Sequence, residues 1–324
     1  MPKVSVIVPV YRVEKYIERC ARSLFEQTLD DMEYIFVDDH TPDGSMDVLN
    51  KIIEEYPSRA DAVKIIHNPE NLGLPKTRKA GIENASGEYI AHCDSDDWVD
   101  KDLYAGMYDE AVTTNSDIVI CDIATVSGSG ITYRKGIRGS DIRAFIISLL
   151  HQEAPVSMLN KLIRRSVYDA GYICPSDNMG EDMATTLQLV RHCRSVSSVE
   201  GMYYYYDGTS PSITRNETKA AIMRRAVQAC NNVRLVGNVY SDEDDNSIRC
   251  GLVHLKFLQR KKFMPIINYQ DALSLWRTTF PEINKAVLFD PRVRISVSER
   301  VKFFFTLVGI FPWFKEHFRK NITH

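Results

Sequence analysis

The stretch Gly87-Glu88-Tyr89-Ile90-Ala91-His92-Cys93-Asp94-Ser95-Asp96-Asp97 ends a strand-like apolar run in three acids within four positions. Carboxylates a few ångströms apart repel by about 1 to 4 kcal/mol at effective dielectrics between water and protein surface. A hard divalent cation removes that cost, and magnesium or manganese best suits a set of oxygen donors. Asp96 and Asp94 are therefore candidate metal ligands. The competing reading is a solvated turn in which Asp97 or Asp100 caps a helix over 103–111.

Two further acidic pairs extend the chemistry. In Tyr34-Ile35-Phe36-Val37-Asp38-Asp39-His40-Thr41-Pro42-Asp43-Gly44-Ser45, Asp39 is placed to accept a hydrogen bond from a base or ribose, while Asp43 or Ser45 suits the cap of the next helix. Glu181 and Asp182 precede the run Ala184 to Val190. First-turn acids there favourably meet the helix dipole, and a carboxylate at that place is equally competent as a general base. No G-x-G-x-x-G follows the first strand and no G-x-x-x-x-G-K-[ST] occurs, so phosphates must be handled by other means. A metal would do it.

The elements that must position these acids follow from hydrophobic periodicity. Residues 4–10, 34–37, 63–67, 89–93 and 118–121 read as buried strands, and 13–27, 45–56 and 74–85 carry the helical period. Alternation of this kind predicts an α/β fold with a largely parallel sheet, whose strand ends are where such folds bind ligands. Strand order does not follow from it. Beyond residue 215, helices are expected over 217–240, 246–262 and 269–279, with the acidic run 241–245 as a solvated loop.

Taken in order, these segments resemble the inverting glycosyltransferases of family 2, which have the GT-A fold. The resemblance rests on Val4-Ser5-Val6-Ile7-Val8-Pro9-Val10-Tyr11, Ser23-Leu24-Phe25-Glu26-Gln27-Thr28, Val37-Asp38-Asp39, Asn71-Leu72-Gly73-Leu74-Pro75-Lys76-Thr77-Arg78, Asp94-Ser95-Asp96-Asp97, Asn160-Lys161-Leu162-Ile163-Arg164-Arg165 and Gly180-Glu181-Asp182. It covers about residues 3–215. It implies transfer of a sugar from a nucleoside diphosphate, UDP favoured, to a glycan or lipid-linked acceptor in bacterial surface polysaccharide synthesis, with Mn2+ or Mg2+ as cofactor. By the same resemblance Asp182 is the catalytic base and Glu181 holds the acceptor or orients the loop. Pro9, Tyr11, Asp39, Arg78, Asp94, Ser95, Asp96, Asp97, Ser212 and Arg215 line the donor site. Pro9 and Tyr11 are equally compatible with packing, Arg78 with a helix-face pair to Glu83, and Ser212 with a cap of the helix starting near Glu217. Asp207 stands where many relatives carry a basic residue, a departure for which Arg215 could compensate. His67 and His192 have no partners at metal-ligand spacing and read as structural.

Two other function classes share some of these features: a catalytically inactive sugar-nucleotide binder or assembly scaffold, and a D-x-D phosphohydrolase. The latter places its acids on the opening strand, whereas here they follow the fourth.

The 324 residues fit a GT-A domain over 1–215 (donor half 1–123, acceptor half 124–215), a helical extension over 216–290 and a basic, aromatic segment over 291–324. A formal charge of −3 argues against nucleic-acid binding. Seven cysteines without C-x-x-C pairs, and no secretory signal at the N-terminus, lead us to expect a cytoplasmic catalytic domain. In the last segment Arg292, Arg294, Arg300 and Lys302 flank Phe303 to Phe314, a run short of the roughly 20 apolar residues that span a bilayer. Such a stretch suits the cytoplasmic face of the inner membrane or packing against the protein's own core, and oligomerisation stays open.

Overall fold

The computed structural model describes residues 1–210 and 217–311. The chain divides into two compact units, Met1–Ile146 with Ala154–Pro211, and Ile147–Glu153 with Ser212–His324. In chain order the first unit contains β1 (Val4–Val10), α1 (Ile17–Phe25), β2 (Met32–Asp38), α2 (Ser45–Glu55), α3 (Pro57–Ala60), β3 (Val63–His67), α4 (Leu74–Glu83), β4 (Tyr89–His92), β5 (Trp98–Val99), α5 (Leu103–Thr114), β6 (Ile118–Ser127) and β7 (Gly130–Arg134). There follow α6 (Ile142–Leu150), which runs across the division, then β8 (Lys161–Arg164), α7 (Arg165–Asp169), α8 (Glu181–Val190) and β9 (Val196–Asp207).

All nine strands join one sheet in the order β3-β2-β1-β4-β8-β6-β9-β5, with β7 paired to β6. The first four strands of that order run parallel, as the alternating strands and helices require. β8 is antiparallel to both β4 and β6, and β9 is parallel to β6. Two reversals restore the original direction, so β6 and β9 run the same way as β1 to β4. The residues after Val10, Asp38, His92 and Asp207 consequently emerge along one edge of the sheet.

Every residue of β1 is buried, which explains its run rich in valine and isoleucine. α1 buries Ile17, Cys20, Ala21, Leu24 and Phe25, the helical spacing that lays one face on the sheet. Phe25 meets Tyr34 edge-on at 5.1 Å. α4 approaches β1 more closely still. A Cβ at Gly81 would press into the Ile7 side chain, with Val37 only 3.3 Å away. Gly81→Ala is therefore expected to cost about 1–3 kcal/mol through overpacking, partly offset by a helix-propensity gain of about 1 kcal/mol. Urea unfolding checks this as a lower midpoint at unchanged slope.

The second unit contains α9 (Lys219–Val239), α10 (Asn246–Lys261), α11 (Ala272–Thr278), α12 (Asn284–Phe289) and α13 (Val297–Leu307). Thr218 caps α9 by accepting from the Ala221 N–H (3.3 Å), and Asp245, in the expected acidic loop, caps α10 by accepting from Ser247 N–H (2.7 Å). α13 opens with a capping box between Ser296 and Glu299. Its Phe303 packs against Trp276 and Phe257, with ring centroids 5.0 and 5.8 Å away.

Candidate active site

The acid turn after β4 brings one carboxylate oxygen each from Asp94, Asp96 and Asp97 within 4.8 Å of one another. Their surroundings differ. Asp97 is wholly buried, accepting from the Tyr204 hydroxyl (2.6 Å) and the Asp207 N–H (2.7 Å). The same hydroxyl accepts from the Asp94 N–H (3.0 Å), so β9 clamps the turn. Burial, then the charges of Asp94 and Asp96, push the Asp97 carboxyl up. Asp97, expected among the residues that line the donor site, has both its oxygens bound to β9 and holds the turn together. Neither Asp97 nor Asp100 caps α5 with its side chain, since Asp100 accepts from Tyr203 N–H (2.8 Å).

Asp94 and Asp96 keep partial exposure. Asp96 accepts from Ser210 Oγ (2.5 Å), and its carboxyl is pushed up by burial and by Asp94. Two partly exposed carboxylates offering hard oxygen donors fit a Mg2+ or Mn2+ ion that keeps waters or phosphate oxygens as its other ligands. Ser95 between them is buried.

Arg78 was expected either at a phosphate or on a solvated face. It is in fact buried, donating to Asp94 Oδ1 (2.6 Å) and to Glu181 Oε1, and this pairing ties the acid turn to the start of α8. Glu181 is buried as well; burial pushes its carboxyl up, and the adjacent Arg78 guanidinium opposes that. It thus positions rather than presents a free carboxylate. The next residue, Asp182, remains partly exposed in the first turn of α8, entered through Gly180 at φ 78°. Burial raises its carboxyl, opposed by Arg78, whereas Asp94 raises it further.

At the far side of the same edge, Tyr11 follows β1 with 38 % exposure, the Arg12 guanidinium 5.3 Å from its ring centroid, while Pro9 is buried within the strand. Asp39 is buried. It accepts from Asn68 Nδ2 (2.8 Å), Leu72 N–H (2.8 Å) and Gly73 N–H (3.0 Å), so it shapes the glycine loop ahead of α4. Gly73 sits at φ 83°, and a Cβ there would lie 2.8 Å from Asn178 Oδ1. His67 pairs with Asp38 (2.9 Å) and His192 is exposed. Asp43 closes its turn onto Ser45 and Thr41. Ser212 and Arg215 lie outside the described residues. The cap of α9 expected from Ser212 is supplied by Thr218.

Two residues have contacts at the site that the sequence did not assign them, one of them within the motif over residues 160–165. Lys161 is buried with its ammonium donating to Pro155 O (2.8 Å), Ser157 O (2.5 Å) and Asn160 Oδ1 (2.9 Å); burial lowers it to about 7 while Asp182 pulls it up. A lysine opening an apolar strand was the available signal. Arg19, in the first turn of α1, donates to Asp207 Oδ2 (2.5 Å) and to the Asp96 carbonyl (2.9 Å). Its guanidinium lies 3.7 Å from the Trp98 ring centroid, and Trp98 stacks on Tyr205. The unusual acid at 207 therefore has a cation supplied from α1. Burial works against its charge, yet hydrogen bonds from Thr209 and Arg19 hold Asp207 down to about 2. A depressed carboxyl stabilises the fold above its unfolded value near 3.8 and loses that stabilisation as pH falls towards about 2. Asp207→Asn is expected to flatten the stability profile over that interval, as acid titration of thermal midpoints would record.

A model of the Glycosyl transferase family 2 matches residues 5–171. Over 214 residues the chain is 36% identical to EpsH of Bacillus subtilis, named as a glycosyltransferase; the match covers 63% of this chain and 60% of that protein. Thus the chain spans less than two thirds of this relative's length. Staphylococcus aureus TarS 1–349, solved with UDP-GlcNAc, superposes with a TM-score of 0.63 at 16% identity, covering 98% of this chain and 92% of that one. The mannosyltransferase PcManGT of Pyrobaculum calidifontis, solved with GDP-Man and Mn2+, gives 0.52 at 16% identity, covering 95% and 87%. These structural likenesses show the GT-A fold, and the family match runs through the glycine loop, the acid turn and β8. Because that match takes in more than half of the 324 residues, the chain belongs to glycosyl transferase family 2.

Proposed function

We propose that this protein is an inverting glycosyltransferase that moves a sugar from a nucleoside diphosphate, UDP first among donors, to a hydroxyl of a glycan or lipid-linked acceptor in bacterial surface polysaccharide synthesis. The observation that carries the reading is the buried Arg78 bridge between Asp94 and Glu181, which ties the acid turn to the helix end bearing Asp182. Nucleotide sugars in the two solved neighbours, one with Mn2+, support a donor and ion of that kind.

Asp182 takes the proton of the acceptor hydroxyl as its oxygen attacks the anomeric carbon. The bond from that carbon to the diphosphate oxygen breaks, its electron pair leaving with the diphosphate. One displacement inverts the centre, so an α-linked donor yields a β-linked product. Asp94 and Asp96 would hold Mn2+ or Mg2+, whose charge stabilises the departing diphosphate. Glu181 and Arg78 fix Asp182, Asp39 shapes the loop below the nucleoside, and Tyr11 offers its exposed ring to the base. Arg19 sets the Asp96 carbonyl, and Ser210 orients the Asp96 carboxylate.

Asp207, in place of a basic residue, favours one alternative, a sugar-nucleotide binder without turnover. A donor panel with Mn2+ or Mg2+, read as release of nucleoside diphosphate with and without acceptors, separates the two. Metal-dependent release from one sugar nucleotide supports the transferase; donor binding with no release across the panel sinks it.

We also place the enzyme at the cytoplasmic face of the membrane. No described helix is long and apolar enough to cross one. α13 exposes Val297, Val301, Phe304 and Phe305 beside Lys302, with Val308 exposed at its end, an arrangement suited to an anionic lipid surface. Much of the expected basic and aromatic segment, residues 312–324, lies outside the described residues.

A further inference from the structure

The helical unit holds an open cavity of about 460 Å³ among α10, α11 and α13, within the size range of small-molecule sites. Arg260 lines it and is itself wholly buried. One guanidinium nitrogen, Nη1, donates to Asn284 Oδ1 (2.7 Å) and Phe280 O (3.3 Å); Nε and Nη2 have no acceptor. No carboxylate among the described residues forms an ion pair with it. The guanidinium instead lies 4.0 and 4.7 Å from the ring centroids of Trp276 and Phe303, the aromatic walls of the cavity. Burial lowers it only to about 10, so it stays cationic at neutral pH.

A buried charge with two idle donors is costly, and stacking on rings recovers only part of that cost. Lys302, also lining the cavity, is exposed and has no ion-pair partner among the described residues. The lining also includes Lys261 and Glu299, which neutralise each other as an ion pair (2.6 Å), and is otherwise mainly apolar.

We propose that this cavity binds the anionic phosphate headgroup of a lipid, with Arg260 and Lys302 facing the phosphate and the aromatic walls taking the start of the apolar chain. The site deepens the membrane-surface reading and is tested apart from it, because a short-chain lipid below its micellar concentration binds without a bilayer. Calorimetric titration of the full chain with dihexanoyl phosphatidylglycerol, dihexanoyl phosphatidylcholine and inorganic phosphate distinguishes the sources. The anionic lipid is expected to bind about tenfold or more tightly than either of the others, the scale of one charge-assisted hydrogen bond. Lys302→Glu should weaken it by about the same factor with the thermal midpoint unchanged. Arg260→Met, which keeps its stem against Trp276, should abolish binding; if it does not fold, Lys302→Glu decides. Equal affinity for all three ligands, inorganic phosphate binding as well as the lipid, or an unaltered Lys302→Glu overturns the proposal. Vesicle sedimentation can fail while this binding holds, which would remove the surface attachment alone.

Discussion

Asp96→Ala is expected to lower metal-dependent release of nucleoside diphosphate by about 10²- to 10³-fold, the scale of losing one preorganised charge contact to a transition state. The same substitution should raise the thermal midpoint. Asp96 sits in a cluster whose members disfavour one another's charge, its own carboxyl being pushed up by burial and by Asp94. Removing it relieves repulsion on Asp94 and Asp97 and loses one hydrogen bond from the Ser210 hydroxyl, which still has the Asp207 carbonyl as acceptor (3.1 Å). A variant that becomes more stable as it becomes inactive shows that the acids are kept for binding and not for folding. Activity equal to wild type at saturating Mn2+ would show that the ion is held elsewhere.

Asp182→Asn separates base from scaffold. We expect kcat to fall by about 10²- to 10⁴-fold, with donor affinity nearly unchanged and little loss of stability, because Asp182 is partly exposed and its neighbour carries the ion pair. Glu181→Gln should behave differently. Losing the Glu181 partner leaves Arg78 paired with Asp94 alone and removes one buried charge-assisted hydrogen bond, a loss of about 1.5–3 kcal/mol, so it should lower the midpoint together with activity. Retained turnover in Asp182→Asn would move the proton transfer to another group. Parallel kcat, KM and melting measurements on both variants resolve these outcomes.

Much of the catalytic edge was legible because strands buried on both faces leave a strong trace. Val4 to Val10, broken only by Ser5, and Tyr34 to Val37 are apolar runs, and the acids after Val37 mark that strand's end. What left no local trace was pairing across the chain. β5 has two residues and β8 four, too short for a periodic signal, yet their antiparallel pairing completes the sheet that carries β9 to the site. The Arg19 contact with Asp207 joins residues 188 positions apart. Ile147–Glu153 groups with the C-terminal helices although it lies between strands of the first unit, and nothing in its composition announces that.

The acids themselves divide along the same line. Residue type and spacing were enough to bring together three carboxylates at one strand end and two at a helix start, since short-range order along a strand or helix dictates those placements. Which of them stay open to solvent is decided by burial and by donors from distant segments. Tyr204 takes Asp97 into the interior, the glycine loop occupies Asp39, and Arg78 occupies Glu181, leaving Asp94, Asp96 and Asp182 at the open edge. A carboxylate's function depends on the dielectric and hydrogen-bond donors around it, and those arrive only when the chain closes on itself.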